Sequence, residues 1–169
     1  MKKFLVSVAV ALLLVIVTTG IGLAALPRAE ARENFVSTST TIHSVMEDKF
    51  NEVIDLSSTV TYTGTLEGKS ALQGTLTVHR DGSANFRGIE TFTGSVNGMP
   101  GTLTFEVVGS SDLYQTIQLT STITSGTGGL ANAHGVLSMT GIIKDNGPVG
   151  SYIWQTDSGL GRLTILWRG

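Results

Sequence analysis

Beyond residue 31 the chain alternates apolar and polar positions with a period of two, the spacing of half-buried strands. Leu72, Gly74, Leu76 and Val78 alternate with Gln73, Thr75, Thr77 and His79, which predicts a strand over residues 72–80. Asp81-Gly82 follows as a hairpin turn of the kind that takes positive φ at both central positions. Residues 83–96 return with Ala84, Phe86, Gly88, Glu90, Phe92, Gly94 and Val96 on one face. Asn97-Gly98 predicts the next tight turn, and Pro100-Gly101 comes close behind. Residues 101–108 then set Leu103, Phe105 and Val107 against Thr102, Thr104 and Glu106.

The same reading extends in both directions with weaker boundaries. Residues 35–46 are β-prone but mostly Ser and Thr, the composition of an edge strand. Glu47-Asp48-Lys49 turns the chain into a long second strand over 50–66. An amphipathic helix over 42–56 is the alternative, with Ile42, Val45, Met46, Phe50, Val53 and Ile54 on one side. The period of two that continues through Val60, Tyr62, Gly64 and Leu66 favours the strand. Further on, residues 113–124 align Ile117, Leu119 and Ile123, and 135–143 align Leu137, Met139 and Ile143. Between them Ser125-Gly126-Thr127-Gly128-Gly129-Leu130 reads as a glycine-rich corner turned with positive φ. Asp145-Asn146-Gly147-Pro148 turns again, and 151–155 with 161–167 form a terminal hairpin around Asp157-Ser158-Gly159. Eight or nine strands joined by short turns predict an all-β fold, a single antiparallel barrel that leaves no exposed sheet edges.

The first 31 residues do not fit this pattern. Lys2 and Lys3 precede an uncharged apolar run over 4–26, Pro27 ends it, and Ala29-Glu30-Ala31 supplies the small residues a signal peptidase reads. The expectation is a signal helix in residues 1–31, cleaved after Ala31, and a barrel domain in 32–169, exported to the cell surface or medium. The alternative is an uncleaved membrane anchor through residues 4–26, since about 20 apolar residues can span a bilayer. A domain of this size buries roughly 70% of the surface its unfolded chain exposes.

Charge and cysteine content narrow the chemistry. Of 11 basic and 13 acidic residues the leader holds Lys2, Lys3, Arg28 and Glu30, so the remainder is mildly acidic. Without a basic cluster, nucleic acid is excluded as a partner. There is no cysteine, which excludes a disulfide framework, a thiol nucleophile and thiolate metal sites.

Several motifs together resemble one known group. They are Gly64-Thr65-Leu66-Glu67-Gly68, Val78-His79-Arg80-Asp81-Gly82 and Phe86-Arg87-Gly88-Ile89-Glu90-Thr91-Phe92-Thr93-Gly94, joined by the corner at 125–130 with Gly135 five residues later. Over residues 59–141 the chain resembles the allene oxide cyclase barrel-like domains of bacteria, and its corner is similar to that of plant allene oxide cyclases and dirigent proteins. The resemblance implies an eight-stranded antiparallel barrel with an apolar lumen. In the plant relatives that lumen serves cyclisation or radical coupling of hydrophobic small molecules. Fold does not carry function with it, and the terminal hairpin departs from the family's pattern.

Glu90 is the candidate catalytic residue. It shares the apolar face of its strand, where desolvation would raise its pKa into the range of acid–base work. The competing readings are a carboxylate hydrogen-bonded to Arg87, to a Thr hydroxyl or to a neighbouring strand, or one that points outward. Phe86, Phe92, Phe105 and Tyr62 are the ligand-binding candidates on inward faces. Tyr114, Trp154 and Trp167 are more simply packing residues. Asp81, Gly82, Asn97, Gly98, Gly126, Gly128 and Gly129 are structural turn residues. His79 shares the face of Thr75 and Thr77 and is expected in solvent. His43 and His134 are scattered from it, so no metal site and no cofactor are expected. Gly126-Thr127-Gly128-Gly129 lacks the Lys and helix of a phosphate loop, and no Gly-x-Ser-x-Gly elbow occurs. The expected function is binding of a small hydrophobic molecule or a surface partner. A packed interaction domain and a cyclase- or isomerase-like enzyme are the alternatives, the balance leaning away from an enzyme.

Overall fold

Among the described residues each strand pairs antiparallel with the strand that follows it in sequence. The structure, a computed structural model, describes residues 33–112, 116–144, 147–156 and 159–160. The leader, Tyr114, Trp167 and the expected strand over 161–167 lie outside the described residues. In chain order the strands are β1 (Asn34–Glu47), β2 (Asn51–Thr63), β3 (Leu66–His79), β4 (Ala84–Val96), β5 (Met99–Ser111), β6 (Thr116–Gly128), β7 (Val136–Lys144), β8 (Gly147–Thr156) and the two-residue β9 (Gly159–Leu160). The first and eighth strands also pair, through Asn34 with Ser151, Phe35 with Gly150 and Val36 with Val149. That pairing closes an eight-stranded antiparallel barrel.

The closure is short. After Val36, β1 has no neighbour but β2 among the described residues, and it shifts register between Ser37 and Ser39 and again between Ile42 and Ser44. The edge-strand reading of 35–46 therefore holds for most of β1 and fails at its start. The helix alternative over 42–56 is not what forms.

Inward faces follow the alternation read from the sequence. On β4, Ala84, Phe86, Glu90, Phe92 and Val96 are buried, while Asn85, Arg87, Ile89, Thr91 and Thr93 face out. A barrel this narrow curves its strands tightly, and facing glycines supply the room. Gly74 pairs with Gly88, and a Cβ on Gly74 would lie 2.3 Å from the Arg87 carbonyl oxygen and 2.6 Å from the Phe86 ring. Phe86 occupies the space the two missing side chains leave.

Several boundaries differ from the sequence-based expectation. The second strand stops at Thr63 because the chain turns at Gly64-Thr65, with Gly64 at φ +109°, and Leu66 opens β3. The strand expected from residue 101 begins at Met99. Pro100 pairs with Ser95 near the start of β5, where its missing N–H costs little. Gly147 and Pro148 likewise begin β8.

The turns divide similarly. Asn97 and Gly98 have φ of +51° and +79° between the paired Val96 and Met99, the mirror-image hairpin turn that Asn-Gly favours. Asp81-Gly82 is not its equivalent, since only Gly82 has positive φ. There the His79 amide reaches the Ser83 carbonyl, and the Asp81 carboxylate accepts the Ser83 amide at 2.9 Å and hydroxyl at 2.6 Å. In the glycine-rich corner Gly128 alone has positive φ, +61°. Gly126 and Gly129 are required for space instead: a Cβ on Gly126 would sit 2.0 Å from the Leu130 oxygen, and one on Gly129 2.4 Å from Met99 Cγ.

Candidate functional site: a cavity over a buried carboxylate

The barrel interior is filled at one end and hollow at the other. Around the 64–65 and 97–98 turns, Leu66, Phe92, Val96, Leu103, Leu130 and Leu137 pack into one cluster. Tyr152 of β8 crosses this end. Its hydroxyl accepts the Leu66 amide at 2.8 Å and donates to the Thr63 carbonyl at 3.3 Å. Tyr62 lies edge-on to both Phe92 and Tyr152, at centroid distances of 5.9 and 5.7 Å. These aromatics form a floor across the barrel.

Above the floor is a cavity of about 220 Å³, larger than the roughly 150 Å³ apolar cavity known to admit benzene. Ile54, Leu56, Leu72, Leu76, Phe86 and Ile117 form its apolar wall. Glu90 and Tyr62 lie at its base.

Glu90 is 2% exposed and faces the lumen. Tyr62 donates its hydroxyl to Glu90 Oε1 at 2.8 Å, and Ser70 donates to the same oxygen. No group among the described residues hydrogen-bonds Oε2. Arg87 is exposed on the opposite face of the same strand, so it is not the partner. Burial pushes the Glu90 carboxyl above the usual carboxylate range, and the hydrogen bonds from Ser70 and Tyr62 oppose that rise without cancelling it. Burial also raises the Tyr62 phenol well above its ordinary value, and the adjacent Glu90 charge adds to the effect. Tyr62 is thus a neutral donor at any physiological pH. Beside this pair, Tyr62 lies 3.9 Å from Met139 Sδ, and Ser121 donates to the same sulfur at 3.5 Å.

The predicted site residues divide accordingly. Glu90, Tyr62 and Phe86 meet at the cavity, whereas Phe92 and Phe105 are fully buried and do not line it. Trp154 is buried in the packed cluster, with Nε1 unpartnered among the described residues. Ser70, Ser121 and Met139 were not anticipated. Ser70 had a legible signal, because Leu66, Gly68, Ser70 and Leu72 continue the alternation of β3 upstream of residue 72.

The histidines stay apart from this site. His79 lies on the outer face, its Nδ1 2.7 Å from Asn51 Oδ1 and its Nε2 2.8 Å from Asn85 Nδ2. His43 contacts the Ser57 hydroxyl, and His134 the Asn132 carbonyl. No group of three or more His, Asp or Glu suited to a metal occurs among the described residues. No helix among them is long and apolar enough to cross a membrane, which does not bear on β-barrels.

Comparison with known proteins gives a family without an activity. Residues 32–152, more than half of the chain, match the model of a family described as proteins of unknown function, DUF3224. A crystal structure of a DUF3224 protein of unknown function from Shewanella oneidensis MR-1, at 1.84 Å, is similar at 18% identity and a TM-score of 0.49. The match covers 73% of this chain and 99% of that one. No curated protein matches.

Proposed function

The chain belongs to the DUF3224 family, whose description carries no activity, and from its geometry we propose that it is an exported binding module for a small apolar molecule. The observation that carries this reading is the hollow half of the barrel, an apolar chamber ending on a buried carboxylate. Small barrels are commonly filled by their own side chains, and a packed interaction domain would need no such space. A few convergent polar groups at the base of an apolar pocket are what small-molecule sites use to fix orientation. Export rests on the leader, with its charged start, apolar run and Ala29-Glu30-Ala31 site.

One observation favours a second reading. Glu90 has a raised pKa and an oxygen without a partner among the described residues, which suits it to move a proton on a bound molecule. That would be a cyclase- or isomerase-like activity of the kind the allene oxide cyclase resemblance implies.

Native mass spectrometry of the protein purified from its own host tests the binding reading. The expected result is a co-purifying small apolar molecule that Leu76→Trp, which fills the chamber, excludes. A chamber that stays empty in host-purified protein, and admits no apolar compound added afterwards, would overturn it.

A further inference from the structure

We infer that the occupant of this chamber is a lipophilic amine, a small apolar body bearing one ammonium group that hydrogen-bonds Glu90 Oε2. The inference rests on the binding reading above and adds the chemical class of the ligand.

The hydrogen-bond accounting of the lining points there. Tyr62 and Ser70 both donate to Glu90 Oε1, and no group among the described residues donates to Oε2. On β1 and β2 the serine hydroxyls of the wall satisfy one another. The Ser37 and Ser58 hydroxyls lie 2.7 Å apart, and Ser58 donates to the Ser39 carbonyl at 2.7 Å. A ligand entering the chamber therefore meets one strong acceptor at its base, and a donor on the ligand completes the site.

Charge selects among donors. Among the described residues the ionisable side chains lining the chamber are Tyr62, Glu52 and Glu90, and no Lys, Arg or His of that set lines it. A fatty acid or other anion would bring its charge into an enclosed space against the Glu90 carboxyl, and is disfavoured. A neutral alcohol would satisfy Oε2 but leave the buried charge uncompensated. An ammonium does both, since charge-assisted hydrogen bonds are roughly twice as strong as neutral ones. Burial holds the Glu90 carboxyl above the usual range against the two donors on Oε1, and a bound ammonium beside it would favour the charged form.

Four probes on one skeleton test this against soluble full-length protein by calorimetry: 4-phenylbutylamine, 4-phenylbutan-1-ol, 4-phenylbutan-2-one and 4-phenylbutanoate. At pH 7.5 the amine should bind about tenfold or more tighter than the alcohol, with the carboxylate weakest. Glu90→Gln should abolish the amine's advantage over the alcohol. Wild-type protein supplies a second readout that needs no variant. Between pH 5 and 8 the amine stays protonated, with a pKa of about 10.4 as for lysine. Its binding should therefore strengthen as Glu90 ionises, while the alcohol's does not. The groups that bear on Glu90 are Tyr62 and Ser70 against it, Tyr152 behind Tyr62, and Glu52 elsewhere on the lining. The tyrosines stay neutral over this range, so they do not contribute to the pH response.

An amine no tighter than the alcohol, an advantage that survives in Glu90→Gln, or the ketone binding tightest would each overturn the inference and leave the binding module standing. Failure of the alcohol and the amine alike would overturn the module itself.

Discussion

The two ends of the barrel are made from the same alternating strands and differ in what their inward side chains meet. At the packed end Leu66, Leu103, Leu130 and Leu137 are each 0% exposed. At the hollow end Leu56, Leu72, Leu76 and Leu119 point inward from β2, β3 and β6 and are only half-buried. The difference has two structural causes. Chain beyond the strands covers the packed end, where Leu130 drops in from the glycine-rich corner and Tyr152 is tied to the 63–66 turn. Toward the hollow end β1 leaves the closed ring after Val36, so nothing among the described residues pairs its outer edge. One end supplies stability and the other supplies space, with Glu90 at the boundary. A carboxyl placed there is held rigidly by the packed half and presented to the open one.

That contrast is easiest to break by truncation. Leu103→Ala removes a fully enclosed side chain and should cost about 2–5 kcal/mol in urea denaturation, because the surrounding core cannot collapse onto the void. Leu76→Ala enlarges a chamber that is already open and should cost about 1 kcal/mol. Equal losses would mean that the two ends are packed alike.

A smaller effect belongs to the corner that delivers Leu130. Gly128 at φ +61° is in the left-handed region, where a β-branched residue fits poorly. Gly128→Val should lower stability by more than about 1 kcal/mol. An unchanged melting temperature would show that the corner relaxes freely and does not hold the packed end.

The smallest effect is a pH dependence at the boundary. Glu90 has a folded pKa above the unfolded value of about 4.3. Its protonated form therefore favours the fold, a contribution fully present below the unfolded pKa and lost as pH rises through the folded one. Glu90→Gln mimics the protonated group at every pH. The stability of wild type relative to this variant should accordingly fall as pH rises from the unfolded value and level off above the raised folded one. A flat difference would place Glu90 in solvent, and a difference that rises with pH would give it a cationic partner.

Much of this organisation is legible in the amino-acid sequence. The period of two on β4 assigns Glu90 to the buried face together with Phe86 and Phe92, and Asn97-Gly98 announces its turn through backbone chemistry alone. What the alternation does not encode is height along the barrel axis. Phe86 and Phe92 sit on one face six residues apart, yet one lines the chamber and the other seals its floor. The partners of Glu90 are hidden for a related reason. Tyr62 and Ser70 come from β2 and β3, and their convergence depends on the stagger between strands, which no single strand's pattern reports. Pro100 and Pro148 mislead because proline is strong punctuation in most sequences, whereas here both sit within the first two residues of a strand.

The most direct test of the hollow end is crystallography of the protein soaked with 4-(4-bromophenyl)butan-1-ol, read by the anomalous signal of bromine. The account predicts a single strong peak inside the barrel, among Leu56, Leu72, Leu76 and Phe86, with the alcohol directed at Glu90 Oε2. A barrel interior without bromine, in crystals where the compound binds only the outer surface, would contradict it.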